Sequence, residues 1–273
     1  MRLGVSSDLG YKDAEQWGAK MRKLGCGSVV FPVDYLAEES QIQAYVAAAK
    51  KYDLVIAEVG AWCSPIASEE KTRKAALERC RGQLALAERI GARCCVNVAG
   101  SMGKRWDGHY RENLSREVWD KTVSSIQEII DGVNPTHTFY TIEPMPWMYP
   151  MGPDEYVRLI QEVNREAFAV HLDVFNWITD LRRYYYSGEF IEECFEKLGP
   201  YIKSMHLKDV ALQEAFTLQL KEVSCGEGEV DLQRYMQLAD SVSPDMPMII
   251  EHLDSDGAYL ESLEKVKKIA KGI

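Results

Sequence analysis

The chain has 273 residues, of which 46% are hydrophobic and 27% charged, ordinary proportions for a globular protein. Thirty-two Lys and Arg against 42 Asp and Glu leave a net charge of −10, which argues against phosphate-backbone binding, since that requires a clustered excess of cations. The same balance argues against an anionic membrane surface, so neither nucleic acid nor membrane is an expected partner.

Strand-like runs occupy 2–7, 27–32, 54–59, 93–99, 137–143, 167–173, 201–206 and 246–251. They are Val- and Ile-rich and nearly continuous in apolar character, as strands buried on both faces should be. Amphipathic stretches lie between them. Leu77, Cys80, Leu84 and Ala87 share one helical face, as do Trp119, Thr122, Ile126 and Ile129. Gly152–Pro153 offers an N-cap glycine and a proline at the first helical position. Leu260, Leu263, Val266 and Ala270 read as the face of a closing helix. Alternating strands and helices imply a parallel sheet with right-handed crossovers. Eight of each, in a length close to the roughly 250 residues such a fold takes, predict one (β/α)8 barrel domain over 1–273. An open doubly wound sheet is the alternative, but the first strand runs into Ser6–Ser7 rather than a glycine-rich turn.

No signal-type apolar stretch opens the chain, and no run approaches the roughly 18 residues of a membrane span. The seven cysteines form no CxxC pair. They read as reduced, packed thiols of a cytoplasmic protein.

Four of the eight runs end in ligand-type side chains: Glu143, Asp173, His206 and Glu251. In a parallel barrel the strands' C-terminal ends form the active face. Three carboxylates converging there repel one another unless a cation sits among them. A site for one divalent metal is therefore expected. Oxygen donors with one imidazole suit Mn²⁺ best, with Mg²⁺, Co²⁺ or Zn²⁺ possible alternatives. Two long connections, 100–115 and 210–231, would cover the same rim. In the second, Leu218 and Leu220 alternate with polar residues, which suggests a small β-excursion.

The segments 143–147 (EPMPW), 171–173 (HLD), 206–209 (HLKD), 226–231 (GEGEVD) and 249–252 (IIEH) resemble the xylose-isomerase-like superfamily of sugar-phosphate isomerases and epimerases. That group also includes endonuclease IV and the ketose 3-epimerases, and the resemblance spans the whole chain. It implies that Glu143, Asp173, His206 and Glu251 hold the metal. It also implies that Glu143 and Glu251, on strands five and eight, pass a proton at substrate carbon from opposite faces. The chain departs from many ketose 3-epimerases at Asn176, where they carry histidine, and at Val210, Ala211 and Leu212, where an arginine is usual.

Lys208 reads either as a group that neutralises a substrate oxygen or shuttles a proton, or as a salt bridge to Asp209 or Glu227. Trp62, Trp106, Trp147 and Trp177 are candidate sugar platforms, and Glu58, Asn97, His109 and Asn176 candidate polar contacts. Lys104–Arg105 and Arg182–Arg183 are the rim's cationic pairs and do not form a phosphate pocket, so the expected ligand is a non-phosphorylated sugar, keto-sugar or polyol. The expected activity is metal-dependent isomerisation or epimerisation by proton abstraction beside a carbonyl or hydroxyl. Two alternatives stand. One is a lyase-type subunit of a C-glycoside deglycosidase, which eliminates an aglycone from a 3-keto sugar alongside a small β-rich partner. The other is a non-catalytic sugar-binding barrel. Pairing into a homo-oligomer is also an expectation of this group.

Overall fold

The computed structural model describes residues 1–7 and 9–272. Eight parallel strands form the barrel wall: β1 (Arg2–Val5), β2 (Ser28–Val30), β3 (Val55–Gly60), β4 (Cys94–Asn97), β5 (Tyr140–Ile142), β6 (Phe168–Leu172), β7 (Ile202–Leu207) and, after an inserted hairpin of β8 (Asp209–Leu212) and β9 (Leu220–Val223), β10 (Pro247–Ile250). The hairpin lies in the connection predicted to hold a β-excursion. Helices α1 (Ala14–Lys23), α2 (Glu39–Lys51), α3 (Glu70–Ile90), α4 (Arg116–Val133), α5 (Pro153–Val163), α6 (Leu181–Tyr185), α7 (Ser187–Leu198), α8 (Leu232–Val242) and α9 (Asp256–Ala270) flank it. No helix among the described residues is long and apolar enough to cross a membrane.

The sheet runs β1-β10-β7-β6-β5-β4-β3-β2 and is nearly closed. At the seam, Gly27 N–H donates to Leu3 O at 2.7 Å and Ser28 Oγ to Arg2 O at 2.8 Å. The approach is so close that a Cβ on Gly4 would stand 2.3 Å from Ser28 O, so glycine is required there.

Buried aliphatic and aromatic side chains fill the space between strands and helices. Leu77, Cys80, Leu84 and Ala87 of α3 and Trp119, Thr122, Ile126 and Ile129 of α4 all face inward, and α5 begins with Gly152 as N-cap and Pro153 at its first turn. The last helix differs by one position. Tyr259, Ser262, Leu263 and Val266 face the barrel, while Leu260 lies out of the stripe and is exposed. One residue is about 100° of helical rotation, enough to turn Leu260 to solvent.

Two buried tyrosines tie the helices to the strand ends. Tyr156 of α5 donates its hydroxyl to Ile142 O at 2.6 Å and accepts from Ile142 N–H at 3.1 Å, fixing the end of β5. The Tyr235 hydroxyl of α8 lies 3.0 Å from Leu172 O and 3.1 Å from His206 O, between the ends of β6 and β7. The residues that follow those ends are thereby held in place.

Candidate active site

Glu143, Asp173 and Glu251 each follow the last residue of their strand, and His206 is the next-to-last residue of β7. All four are buried, and one ligand atom from each lies within 4.8 Å of the others. His206 Nδ1 is 2.9 Å from Glu251 Oε1, 3.3 Å from Glu143 Oε1 and 3.9 Å from Asp173 Oδ2. Asp173 does two jobs. Its Oδ1 accepts from the N–H groups of Phe175 and Asn176, capping the turn that follows, while Oδ2 faces the cluster.

Strand alternation places Ser204, His206 and Lys208 on one face, toward the barrel axis. Lys208 Nζ lies 2.7 Å from Asp173 Oδ2, 2.7 Å from Glu251 Oε1 and 3.7 Å from Glu143 Oε1. The salt bridges expected as its plainer role are absent. Asp209 points the other way and accepts from the N–H groups of Val210, Gly226, Gly228 and Val230. Glu227 pairs with Lys265 at 3.1 Å. Lysine 208 therefore belongs to the acid cluster.

Glu58 and His171 surround the other imidazole nitrogen. Glu58 Oε2 is 3.4 Å from His206 Nε2 and 3.6 Å from His171 Nδ1, and Ser204 Oγ is 2.7 Å from His171 Nδ1. Glu58 is only 2% exposed and His171 fully buried; Glu58, expected as a sugar contact, faces both histidines and also reaches the wall of the mouth cavity. A carboxylate on the far nitrogen of a ligand histidine fixes its tautomer and ring orientation. Glu58, His171 and His206 also form a second, overlapping group with metal-type spacing, which the sequence does not reveal because His171 lies inside a continuously buried run that Asp173 closes.

Burial sets the protonation pattern, and charge modifies it. Burial, with the charge of Glu251, raises the Glu143 carboxyl to about 7. Burial and the neighbouring His206 lower His171 to about 3, so it is neutral. Burial would lower His206 and Lys208, but the surrounding carboxylates outweigh it and raise both well above their ordinary values. Burial likewise opposes ionisation of Asp173 and Glu251, yet Lys208 and His206 pull both down.

Four buried carboxylates (Glu58, Glu143, Asp173 and Glu251) thus face two cationic groups. Lys208 Nζ and Glu251 Oε1 sit at ion-pair distance without an aligned hydrogen bond. That donor set, acid-rich with one imidazole and short of positive charge, fits a hard divalent cation. Buried Glu, Asp and His groups of this spacing are able to hold an ion.

The remaining candidates separate. Asn176 Nδ2 lies 3.1 Å from Glu143 Oε1 and 3.0 Å from Asp173 Oδ2, so it braces the acids. Trp62 and Trp106 wall a cavity with Glu58, Glu143 and Glu251. The Trp62 indole folds back where a Cβ on Gly60 would stand 1.9 Å from Nε1. Trp147 lines a neighbouring cavity and donates its indole N–H to Asp107 O at 2.8 Å. His109 is exposed, edge-on to Trp147 at 6.4 Å. Two expectations are corrected. Asn97 turns outward from the barrel, spending its amide on Cys63 N–H, Cys80 Sγ and the Tyr140 hydroxyl, and does not reach the mouth. Trp177 is buried and donates to Pro150 O at 2.8 Å, so it packs rather than receives a sugar.

Over residues 9–269 the chain matches the family described as xylose isomerase-like TIM barrel, and it belongs to that family. No curated protein matches it by sequence. Among solved structures, a xylose isomerase-like TIM barrel protein from Mycobacterium smegmatis, in complex with magnesium, is 17% identical, with 96% of this chain and 90% of that one covered at a TM-score of 0.69. The 3-keto-D-glucoside 4-epimerase of E. coli is 13% identical, covering 98% and 99%, with a TM-score of 0.71. The D-psicose 3-epimerase of Clostridium cellulolyticum H10, solved with D-tagatose, is 13% identical, covering 100% and 99%, with a TM-score of 0.72. At these identities the likeness is one of fold.

Proposed function

We propose that this chain is a divalent-metal-dependent sugar isomerase or epimerase, using one ion, Mn²⁺ or Mg²⁺, held by Glu143, Asp173, His206 and Glu251. The observation that carries the reading is the convergence of three buried carboxylates and an imidazole within 4.8 Å, with two of the carboxylates walling a cavity. Sugar epimerases among proteins of the same fold support it. When bound, the ion supplies positive charge that stabilises an oxyanion developing on the substrate.

The chain's own residues do the proton chemistry. Either Glu143 or Glu251 removes the proton from a carbon beside a carbonyl or hydroxyl, and the other returns it. Lys208, which pairs with Asp173 and Glu251 in the absence of the ion, offers an ammonium proton to the substrate oxygen once the ion takes those acids. Asn176 donates its amide N–H groups to Glu143 and Asp173 and so orients both, and Trp62 and Trp106 give the sugar's apolar faces a surface.

Incubation with Mn²⁺ and a panel of sugars in D₂O, followed by NMR, tests this. Deuterium at carbon with changed stereochemistry or carbonyl position supports the proposal. Aglycone release from a 3-keto glycoside would place the activity with elimination, and no exchange across the panel would leave a binding barrel.

A further inference from the structure

Two thiols meet beside the barrel mouth, in a region the acid cluster does not use. Cys63 lies in the loop after β3, next to Trp62, and Cys80 lies within α3. Both are free, and their sulfurs are in contact at 3.5 Å. Cys80 is fully buried and Cys63 only partly so.

The surrounding bonds keep the two sulfurs facing each other. From α3, Arg79 Nε donates to Ala61 O at 2.6 Å and Gln83 Nε2 to Gly60 O at 2.8 Å, which ties the loop down on one side of Cys63. On the other side, Ser64 Oγ donates to Ser101 O at 2.9 Å. The Cys80 sulfur accepts from the Asn97 amide at 3.4 Å and from the Tyr140 hydroxyl at 3.5 Å. Donors aimed at a sulfur favour its thiolate. The hydrogen bond between the two thiols lowers Cys80 below its ordinary value, with Tyr140 and Asn97 adding to it against burial, and raises Cys63. A sulfur that favours the thiolate thus stands behind one that is nearer to solvent. That is the placement of a resolving cysteine behind one that meets an oxidant first.

We propose that Cys63 and Cys80 are a redox-active dithiol that hydrogen peroxide closes to a disulfide, and that closure moves Trp62 in the wall of the mouth. The Cys63 sulfur takes one oxygen from the peroxide; the O–O bond breaks and the other oxygen leaves as water. Cys80 Sγ then attacks the sulfenic sulfur of Cys63, and the displaced hydroxide leaves with the Cys80 proton as a second water. The two thiols give up two electrons and two protons, and the peroxide gains both. A small thiol reductant reverses the bond by exchange.

Forming the bond shortens the contact to about 2.05 Å, a travel of roughly 1.5 Å. With Gly60 and Ala61 held to α3 and Ser64 held to Ser101, that travel falls on Trp62 and Cys63. Trp62 already has a left-handed backbone, φ +44, and its indole walls the cavity that contains Glu143 and Glu251. The claim does not depend on what the mouth binds.

Treatment of the full chain with hydrogen peroxide, followed by thiol counting in denaturant, peptide mass spectrometry and tryptophan emission, tests the proposal. Free thiols are expected to fall from seven to five (7 − 2), with one Cys63–Cys80 cross-link that dithiothreitol removes. Cys80→Ala and, at the less buried position, Cys63→Ala should each form no cross-link. Tryptophan emission should change on oxidation of the wild type and recover on reduction, and this change should be lost in Trp62→Phe. Seven thiols kept after peroxide, a cross-link between other cysteines, or thiol loss without a cross-link would overturn the inference. So would a Cys63–Cys80 disulfide that leaves emission unchanged, or an emission change that survives Trp62→Phe.

Discussion

Replacing Lys208 by Met keeps the apolar stem and deletes the ammonium from a site where the side chain is 1% exposed. Asp173 and Glu251, each 2.7 Å away, are then left with His206 alone. Removing one partner of a buried ion pair costs about 3–5 kcal/mol. Proton uptake by the released carboxylates offsets part of this, so a loss of about 3 kcal/mol is expected without a divalent ion. At roughly 2 °C per kcal/mol for a chain of this size, melting falls by about 6 °C. Manganese reverses the loss, since the ion and the ammonium serve the same acids. With the competing charge gone, the variant also binds Mn²⁺ about tenfold more tightly, a modest share of the roughly 4 kcal/mol by which unit charges 4 Å apart interact at an effective dielectric of 20. Melting followed by circular dichroism, with chelator and with saturating MnCl₂, reads both effects. A metal-free Lys208→Met protein as stable as the wild type, or equal stabilisation of both by Mn²⁺, would refute the idea of shared acids.

Glu251→Gln should keep the fold and lose at least a hundredfold in kcat, the usual scale of a proton-transfer group, checked by steady-state kinetics on whichever sugar exchanges deuterium; undiminished turnover removes Glu251 from the chemistry. Glu58→Gln should weaken Mn²⁺ binding by about 10–100-fold, measured by titration calorimetry, because His206 Nε2 loses the carboxylate 3.4 Å away; an unchanged Kd would free His206 from that dependence. Glu88 accepts hydrogen bonds from Thr136, His137 and Thr138. Although its partial burial acts the other way, these bonds hold its carboxyl down at about 2. Because the folded value is the lower one, its contribution is present in full above about 4.5 and fades as pH falls toward 2. Glu88→Gln should therefore cost about 1–2 kcal/mol in urea unfolding at pH 7, with a smaller gap from wild type at pH 3; a gap independent of pH would contradict this.

The barrel could be read from the chain because strands buried on both faces leave uninterrupted Val- and Ile-rich runs, and all eight runs overlap observed strands. The acids at three strand ends were visible for the same reason, as charged residues closing apolar runs. What was not visible depended on which way a side chain turns. Asn97 closes β4 much as Glu143 closes β5, but one step of strand alternation aims it at α3 rather than the mouth. Lys208 and Asp209 are neighbours in sequence and are sent to opposite faces, so their pairing could not form. His171 is one of five consecutive buried residues in β6, where nothing in the run separates an inward imidazole from an inward aliphatic. The spacing of His171 and Asp173, an i, i+2 pair on one strand face, is the signal that would have found it. The tyrosine anchors Tyr156 and Tyr235 lie in helices whose apolar stripes explain them equally well as ordinary core.

Crystals grown with MnCl₂ and measured at the manganese edge test the central claim most directly. One anomalous peak bounded by Glu143, Asp173, His206 Nδ1 and Glu251, with Lys208 displaced from between its acids, is the expected result. A mouth without a peak, or a peak coordinated by other residues while Lys208 keeps its place, would contradict it.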